Sequence, residues 1–528
     1  MLLLAVVAVV GLIAAVLLLG DASLVPDAGN GLATVDVEAL GGTLVGATAH
    51  DAHGHAVPLA VHDGRIVPRS HVAPGALLTV TATVRRPSWT GWALGKQSRQ
   101  RLTIRTPKAG LRTRWTTVRS GSGLRVAFAA PVARLAYGTA GHMHHVVLHH
   151  PRRVVDLGGQ AAAGTLLVSG APRTWEGLPR AAPVTWFPAG SATTAVVDPA
   201  PDASISPTSK LTLTFSKPLS ALGSARPTFA APVDGTWSRR DSHTLVFTPS
   251  GVGFGLGAHV QLTLPAGAQL VSGGSTTQTI SDTTAPSGAT VSWTVPPGST
   301  LRLHELLSQL GYLPLDFHSD AAPVAAGDGA QLRAAIDPPR GSFDWRWDLP
   351  SQLTSQWNPD TETAITRGAL MAFQSDRELT VDGLAGPDVW SALIAAAREH
   401  KTNAHGYSYV LVHRDAAQQT ATLIHNGKTI ITTPGNTGVP AAPTELGTFP
   451  VYLRYDETTM SGTNPDGSRY VDPGIKWVSY FNGGDALHAF DRASYGSPQS
   501  VGCVELPESA AAKIYPYTPI GTLVQIAA

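Results

Sequence analysis

Short runs in which apolar and polar residues alternate, each closed by a turn-forming cluster, recur through the first half of the chain and limit its fold most narrowly. Leu78-Thr79-Val80-Thr81-Ala82-Thr83-Val84 is the clearest, with Val80, Ala82 and Val84 set between threonines. That is the period of a strand with one buried face. Gly123–Phe128, Lys210–Phe215 and Thr244–Phe247 repeat the pattern. Turn signals part the runs at intervals expected of a β-sandwich, and 54 glycines and 40 prolines supply the turns. The spacing predicts two or three immunoglobulin-like β-sandwiches in series, bounded at 31–110, 111–190 and 196–285 and serving as spacers. At 528 residues the chain has room for roughly three to five domains. Charged residues are only 14% and the formal net charge is +1, so the basic stripe that nucleic-acid binding needs is missing.

The pattern changes after residue 298. Leu301, Leu303, Leu306, Leu307 and Leu310 fall at helical spacing, and Gly311 stops the run. A Pro/Gly/Trp-rich insertion around Phe343–Trp347 follows. A second helix is predicted from Thr361 to Phe373 and a third from Pro387, a favoured first helical position. These make a small three-helix domain over 298–399.

At the other end, Met1 to Gly20 is an uncharged apolar run. Twenty residues at about 1.5 Å each span roughly 30 Å, a bilayer core. The run reads as a single membrane anchor with the bulk of the chain extracytoplasmic, a cleavable signal peptide being the competing reading. Between His142 and His150 a histidine tract puts His142 and His144 on one strand face, a spacing suited to metal. No Cys or acidic residue lies inside the tract, so it is read as solvated strand histidines and not as a metal site.

From residue 406 strands return at Tyr409–Val412, Thr420–Ile424 and Thr429–Thr432, with an Asn426-Gly427 hairpin signal between the last two. Asp456 to Lys476, rich in Gly, Asp and Pro, is predicted to be a loop over a cleft. Trp477–Phe481 leads towards His488, and Gly521–Ile526 is the closing strand.

The only cysteine, Cys503, lies in this last part, in Ser500-Val501-Gly502-Cys503-Val504-Glu505, with His488 upstream. Free cysteines usually just pack. This one sits in a glycine turn, within reach of a histidine, in a chain predicted to be exported, where an unused thiol is a liability. A thiol becomes a nucleophile as thiolate, and an imidazole can take its proton and later protonate a leaving amine. Gly502 lets the backbone approach closely, so the amides of Gly502 and Cys503 could face a developing oxyanion. The pattern predicts acyl transfer, with Cys503 and His488 catalytic.

These residues resemble the active-site signature of the L,D-transpeptidases, cysteine enzymes that cross-link bacterial peptidoglycan. The family pattern is His, a loop, then Ser/Thr-His-Gly-Cys-apolar-Asn/Arg. Val501 stands where the second histidine is usual, and Glu505 replaces Asn or Arg. Ile365–Gln374 and Val381–Trp390, with their Phe-Gln, Asp-Gly and Gly-Pro-x-x-Trp elements, resemble the small peptidoglycan-binding domain. Together the resemblances imply a mainly β multidomain chain ending in a β-rich catalytic domain at 406–528. They imply that Cys503 attacks a stem peptide after its third residue, that His488 protonates the departing D-alanine, and that an amine on another stem accepts the acyl group. Ser500, Tyr480 and Arg492 are candidate substrate-binding residues. No metal or organic cofactor is called for; the partners implied are peptidoglycan stem peptides and glycan, and the membrane through the N-terminal segment. The alternatives are a wall-binding scaffold without activity, and an L,D-carboxypeptidase with water as acceptor.

Overall fold

A computed structural model of the chain describes residues 22–37, 42–88, 95–160, 163–190, 192–270 and 288–528. The proposed anchor at 1–20 lies outside the described residues. Among those described, no helix is long and apolar enough to cross a membrane.

The chain is mainly β, with several sheets and few helices. Two four-stranded sheets, built from strands between Ala22 and Arg105, enclose one core that includes Leu78, Val80, Ala82 and Val84. The alternation seen in sequence thus turns one face of Leu77–Arg85 wholly inward. A five-stranded sheet follows, whose two longest strands, Arg125–Thr139 and His142–Asp156, form a bulged hairpin. The histidine tract lies on the second of these, an edge strand, and its histidines are exposed. Among the described residues, no three His, Cys, Asp or Glu converge on a metal position. A five-stranded and a three-stranded sheet between Thr193 and Thr294 share a third core around Phe215, Phe247 and Trp293.

Neighbouring units are docked on one another. Trp175, which follows the strand Gly164–Ala171 of the five-stranded sheet, is buried in the first core, and its indole donates to the Asn30 carbonyl at 2.6 Å. Trp115 stacks on His243 with ring centroids 3.6 Å apart. Each of these two joints is thus made by an aromatic side chain.

The helical part holds α1 (Thr300–Gln309), α2 (Asp328–Ile336), α3 (Ala364–Asp376) and α4 (Pro387–Glu399). A capping box starts α3, with Thr363 Oγ1 accepting from the Ile365 amide and Thr366 Oγ1 from the Thr363 amide. Pro387 is at the first position of α4 as predicted. Besides a single turn of helix at Ser351–Thr354, two elements were not anticipated. One is α2; the other is the hairpin pairing Leu315–Ser319 with Gly341–Trp345, which takes up much of the Trp-rich insertion.

The residues that carried the peptidoglycan-binding resemblance have internal tasks here. Phe373 and Trp390 are buried in the core. Gln374, also buried, bonds through its side chain to the Asp382 carboxylate and to the amides of Asp382 and Gly383, fixing that turn.

The last unit is a sandwich. One sheet contains β1 (Ser408–His413), β2 (Thr420–His425), β3 (Lys428–Pro434), β4 (Gly447–Pro450) and β9 (Leu523–Ala527), in the order β3-β2-β1-β9-β4. The other contains β5 (Leu453–Thr463), β6 (Arg469–Asn482), β7 (Asp485–Ala489) and β8 (Val504–Leu506), in that order. The Asn-Gly signal is realised: Asn426 and Gly427 both have positive φ, 46° and 74°, as a tight two-residue hairpin requires.

Helix α3 lies against this sandwich so closely that a Cβ on Gly368 would come within 2.6 Å of the Gly521 carbonyl oxygen. Tyr409, Leu411, Ile424 and Leu523 of the sandwich share one core with Leu370, Phe373 and Trp390 of the helices. The helical part therefore supports the sheet that carries the site directly, and the two cannot part without opening a common core.

Candidate active site

The parallel pairing of β7 with β8 brings the two predicted catalytic segments together. Its register sets Leu487 beside Val504 and His488 beside Glu505. Cys503 is the residue just before β8, so His488 and Cys503 line one cleft of about 270 Å³. Met460, Tyr470, Ile475 and Phe490 give this cleft an apolar and aromatic wall. Val501, at the position of the family's second histidine, also lines it.

His488 is buried, and its Nδ1–H donates to the Ala489 carbonyl at 2.9 Å. That bond leaves Nε2 as the lone-pair nitrogen. Burial lowers the imidazole pKa, so the ring is a neutral base at rest. The Cys503 thiol donates to the Gly484 carbonyl at 3.8 Å and receives the Ala486 amide. Burial, with the carboxylates of Asp485 and Glu505 nearby, pushes its pKa up to about 12. No hydrogen bond joins the thiol to His488 among the described residues.

Residues 408–526 match the YkuD family model, the L,D-transpeptidase catalytic domain. Several solved L,D-transpeptidases are similar. The enzyme from Mycobacterium smegmatis aligns at 13% identity over 64% of this chain and all of its own, with a TM-score of 0.21. L,D-transpeptidase 3 from Mycobacterium tuberculosis aligns at 12% identity over 63% of this chain and 97% of its own, again at 0.21. The catalytic domain of the E. faecium L,D-transpeptidase, at 27% identity, covers 23% of this chain and 96% of its own, at 0.21. A comparison with curated proteins returned no match.

Within the matched region, a third segment pins the cysteine loop. Asn436 and Glu505 exchange two backbone bonds of 2.9 Å, the Val439 amide donates to the Ser500 carbonyl, and Ser500 N donates to Thr437 O. Asn436, fully buried, accepts the Gly496 amide on its side-chain oxygen. Thr444 Oγ1 accepts from the Gly438 amide and donates to the Gly502 carbonyl at 2.7 Å. Ser500 Oγ donates to the Cys503 carbonyl at 2.6 Å and accepts the Gly502 amide at 3.3 Å.

These bonds revise the expectations for four residues. The Gly502 amide, expected to face an oxyanion, is instead taken up by Ser500. Ser500, a candidate substrate contact, is buried and ties the loop from inside. Arg492 makes a two-pronged ion pair with Glu505, 2.7 and 2.9 Å, while its guanidinium lies 4.5 Å from the Phe490 ring centre. Glu505 is thus neutralised by its own chain, and its charge does not reach a substrate unpaired. Tyr480 is opposite Ala486 in the β6–β7 ladder and packs with Cys503, and burial and the thiol raise its pKa.

Asp456–Lys476, expected to be a loop, is mostly the β5–β6 hairpin. Residues Leu453 to Thr463 are all exposed or half-buried, so neither face shows the alternation that marks a strand in sequence. The hairpin still borders the cleft, through Met460, Tyr470, Asp472 and Ile475.

Sequence reasoning missed Asp485. Its carboxylate occupies the space where a Cβ of Gly502 would be, and Gly502 has φ +127°. Gly502 is therefore needed to admit this carboxylate, beside any role in substrate approach. The signal in sequence was the Gly483-Gly484-Asp485 turn three residues before His488.

Proposed function

We propose that the chain is a cell-wall L,D-transpeptidase that forms peptidoglycan cross-links through a Cys503 acyl-enzyme. The observation that carries this reading is the β7–β8 register, which brings a neutral, Nε2-free His488 and the lone thiol to one cleft inside a YkuD domain. With a thiol held protonated, His488 acts as a general base during attack and not as half of a standing ion pair. Proton and bond changes run together: sulfur bonds to the carbonyl carbon, His488 takes the thiol proton and passes it to the departing D-alanine nitrogen. The Cys503 amide faces the transient oxyanion.

The remaining parts fit a protein of the wall. Residues 1–20 would hold the chain at the membrane with its bulk outside, the β units would space the catalytic sandwich from it, and the helical part would meet glycan or peptide. No residue on this route calls for a metal or organic cofactor.

The test is the intact mass of the protein after incubation with a peptidoglycan tetrapeptide or a carbapenem, beside Cys503→Ala. An adduct on the parent alone is expected. Absence of an adduct from folded parent protein would leave the wall-binding scaffold as the better reading.

A further inference from the structure

Cys503 lines the cleft with His488, Ser500, Arg492 and Glu505, where Asp472 is also part of the wall and Glu505, the cleft carboxylate that acts on the thiol, is already paired with Arg492. Asp485 is not part of that wall. It stands at the first position of β7, after the Gly483-Gly484 turn and opposite Asn482, with Tyr452 and Glu445 among its titratable neighbours. Tyr452 Oη donates to the Gly483 carbonyl, and Asn482 Nδ2 donates to Glu445 at 3.1 Å, so the turn and the Glu445 segment are joined. The Asp485 carboxylate lies on Gly502, directly against the nucleophile's own peptide. Among the described residues no Lys, Arg or His pairs with it. The charged and titratable groups that act on it or feel it are Glu445, Cys503, Tyr452 and Tyr470.

We propose that Asp485 receives the amine that accepts the acyl group, takes its extra proton, and so directs the acyl-enzyme to an amine in preference to water. The inference rests on the acyl-enzyme reading above and adds the acceptor side to it. The incoming ligand is a primary alkylammonium, the side-chain amine of a second stem peptide. Such a group is a cation at neutral pH and cannot attack until it loses a proton.

The step balances with groups already present. The ammonium gives one proton to the Asp485 carboxylate. The freed nitrogen attacks the thioester carbon, a C–N bond forms, the C–S bond breaks, and the electron pair leaves on the Cys503 sulfur. The second nitrogen proton goes to that sulfur and restores the thiol, and Asp485 returns its proton to solvent. A carboxylate suits this task better the more basic it is. Burial and the neighbouring Glu445 raise Asp485 to about 6. Water carries no charge for the carboxylate to gather, so the same group favours the amine over hydrolysis.

The experiment uses the full chain, with a tetrapeptide stem as donor and a stem bearing a free side-chain amine as acceptor. The ratio of cross-linked to hydrolysed product is followed from pH 5 to pH 9. Asp485→Asn should still form the acyl-enzyme while that ratio falls tenfold or more. Glu445→Gln, a change at an exposed side chain, should fold normally and move the midpoint of the ratio's rise with pH to lower pH. A ratio in Asp485→Asn within twofold of the parent, or equal loss of both products, overturns the proposal, as does an unmoved midpoint in Glu445→Gln. A parent that forms no acyl-enzyme at all refutes the underlying reading instead, and is seen before any ratio is measured.

Discussion

The Cys503 thiol should be slow to react in the resting protein and should stay slow to unusually high pH. Burial first, then the charges of Asp485 and Glu505, carry its pKa from the ordinary 9.0 to about 12. At pH 8 this lowers the thiolate fraction about 900-fold. The thiolate that does form is more basic and, with a Brønsted slope of 0.4–0.5, attacks a disulfide about 15- to 30-fold faster. The two effects leave exchange about 30- to 60-fold slower than for an ordinary thiol of the same chain.

Because Cys503 is the only cysteine, a small aromatic disulfide reports on it without ambiguity. The folded chain is compared with the chain in denaturant, and the rate is followed from pH 7 to pH 11. Restricted access slows reaction at every pH equally, so the slope is the decisive quantity. The logarithm of the folded-state rate should rise by one per pH unit up to about pH 11, and Asp485→Asn should react faster at every pH below that. A plateau below pH 9, or a rate at pH 8 equal to that of the unfolded chain, would refute the reasoning and point to a standing thiolate.

Two further outcomes follow from the same residues. Arg492→Gln leaves Glu505 buried without its cation and should cost about 2–3 kcal/mol, the usual penalty for an orphaned buried partner reduced for the partly exposed Arg492; Arg492→Gln/Glu505→Gln should recover most of it in urea unfolding, and a double variant no better than the single one would show the pair to be uncoupled. Asp485 has a folded-state pKa of about 6 against 3.8, so the folded chain binds the extra proton and stability falls as pH rises through 4 to 6. For a carboxylate only half buried, Asp485→Asn should therefore gain about 1–2 kcal/mol at pH 7.5 and nothing at pH 4, and an equal effect at both pH values would contradict the shift.

The sequence could disclose what depends on near neighbours. The alternation of Leu78–Val84, the Pro387 helix start and the Asn426-Gly427 turn are local rules, and each is realised. The histidine and cysteine were legible as a pair because their types and order are those of a known chemistry. Asp485 was not, because its importance comes from lying on Gly502, 17 positions away, and a carboxylate after two glycines reads as an ordinary turn. The Arg492–Glu505 pair was hidden for a similar reason: Glu505 read only as a replacement of Asn or Arg until its partner, 13 residues back across a loop, was in view. Strand β5 failed the period test because none of its residues is buried, so it has no inward face to record in its sequence.

A lone thiol that lines a cleft poses a chemical problem that this arrangement answers. Oxidants and stray disulfides attack the thiolate, and a pKa near 12 leaves almost none of it at rest. The same shift would disable an enzyme that relied on a preformed thiolate. On the proposed route the base is a neutral imidazole in the same cleft, so the proton need move only when a carbonyl carbon is present to accept the sulfur's electron pair. The carboxylates that hold the thiol neutral are then disposed for the second half of the cycle. Glu505 is cancelled by Arg492, whereas Asp485 stays unpaired and outside the cleft wall. On the proposed reading one group guards the nucleophile before acylation and receives the amine after it, which is why removing it should speed thiol exchange while impairing transfer.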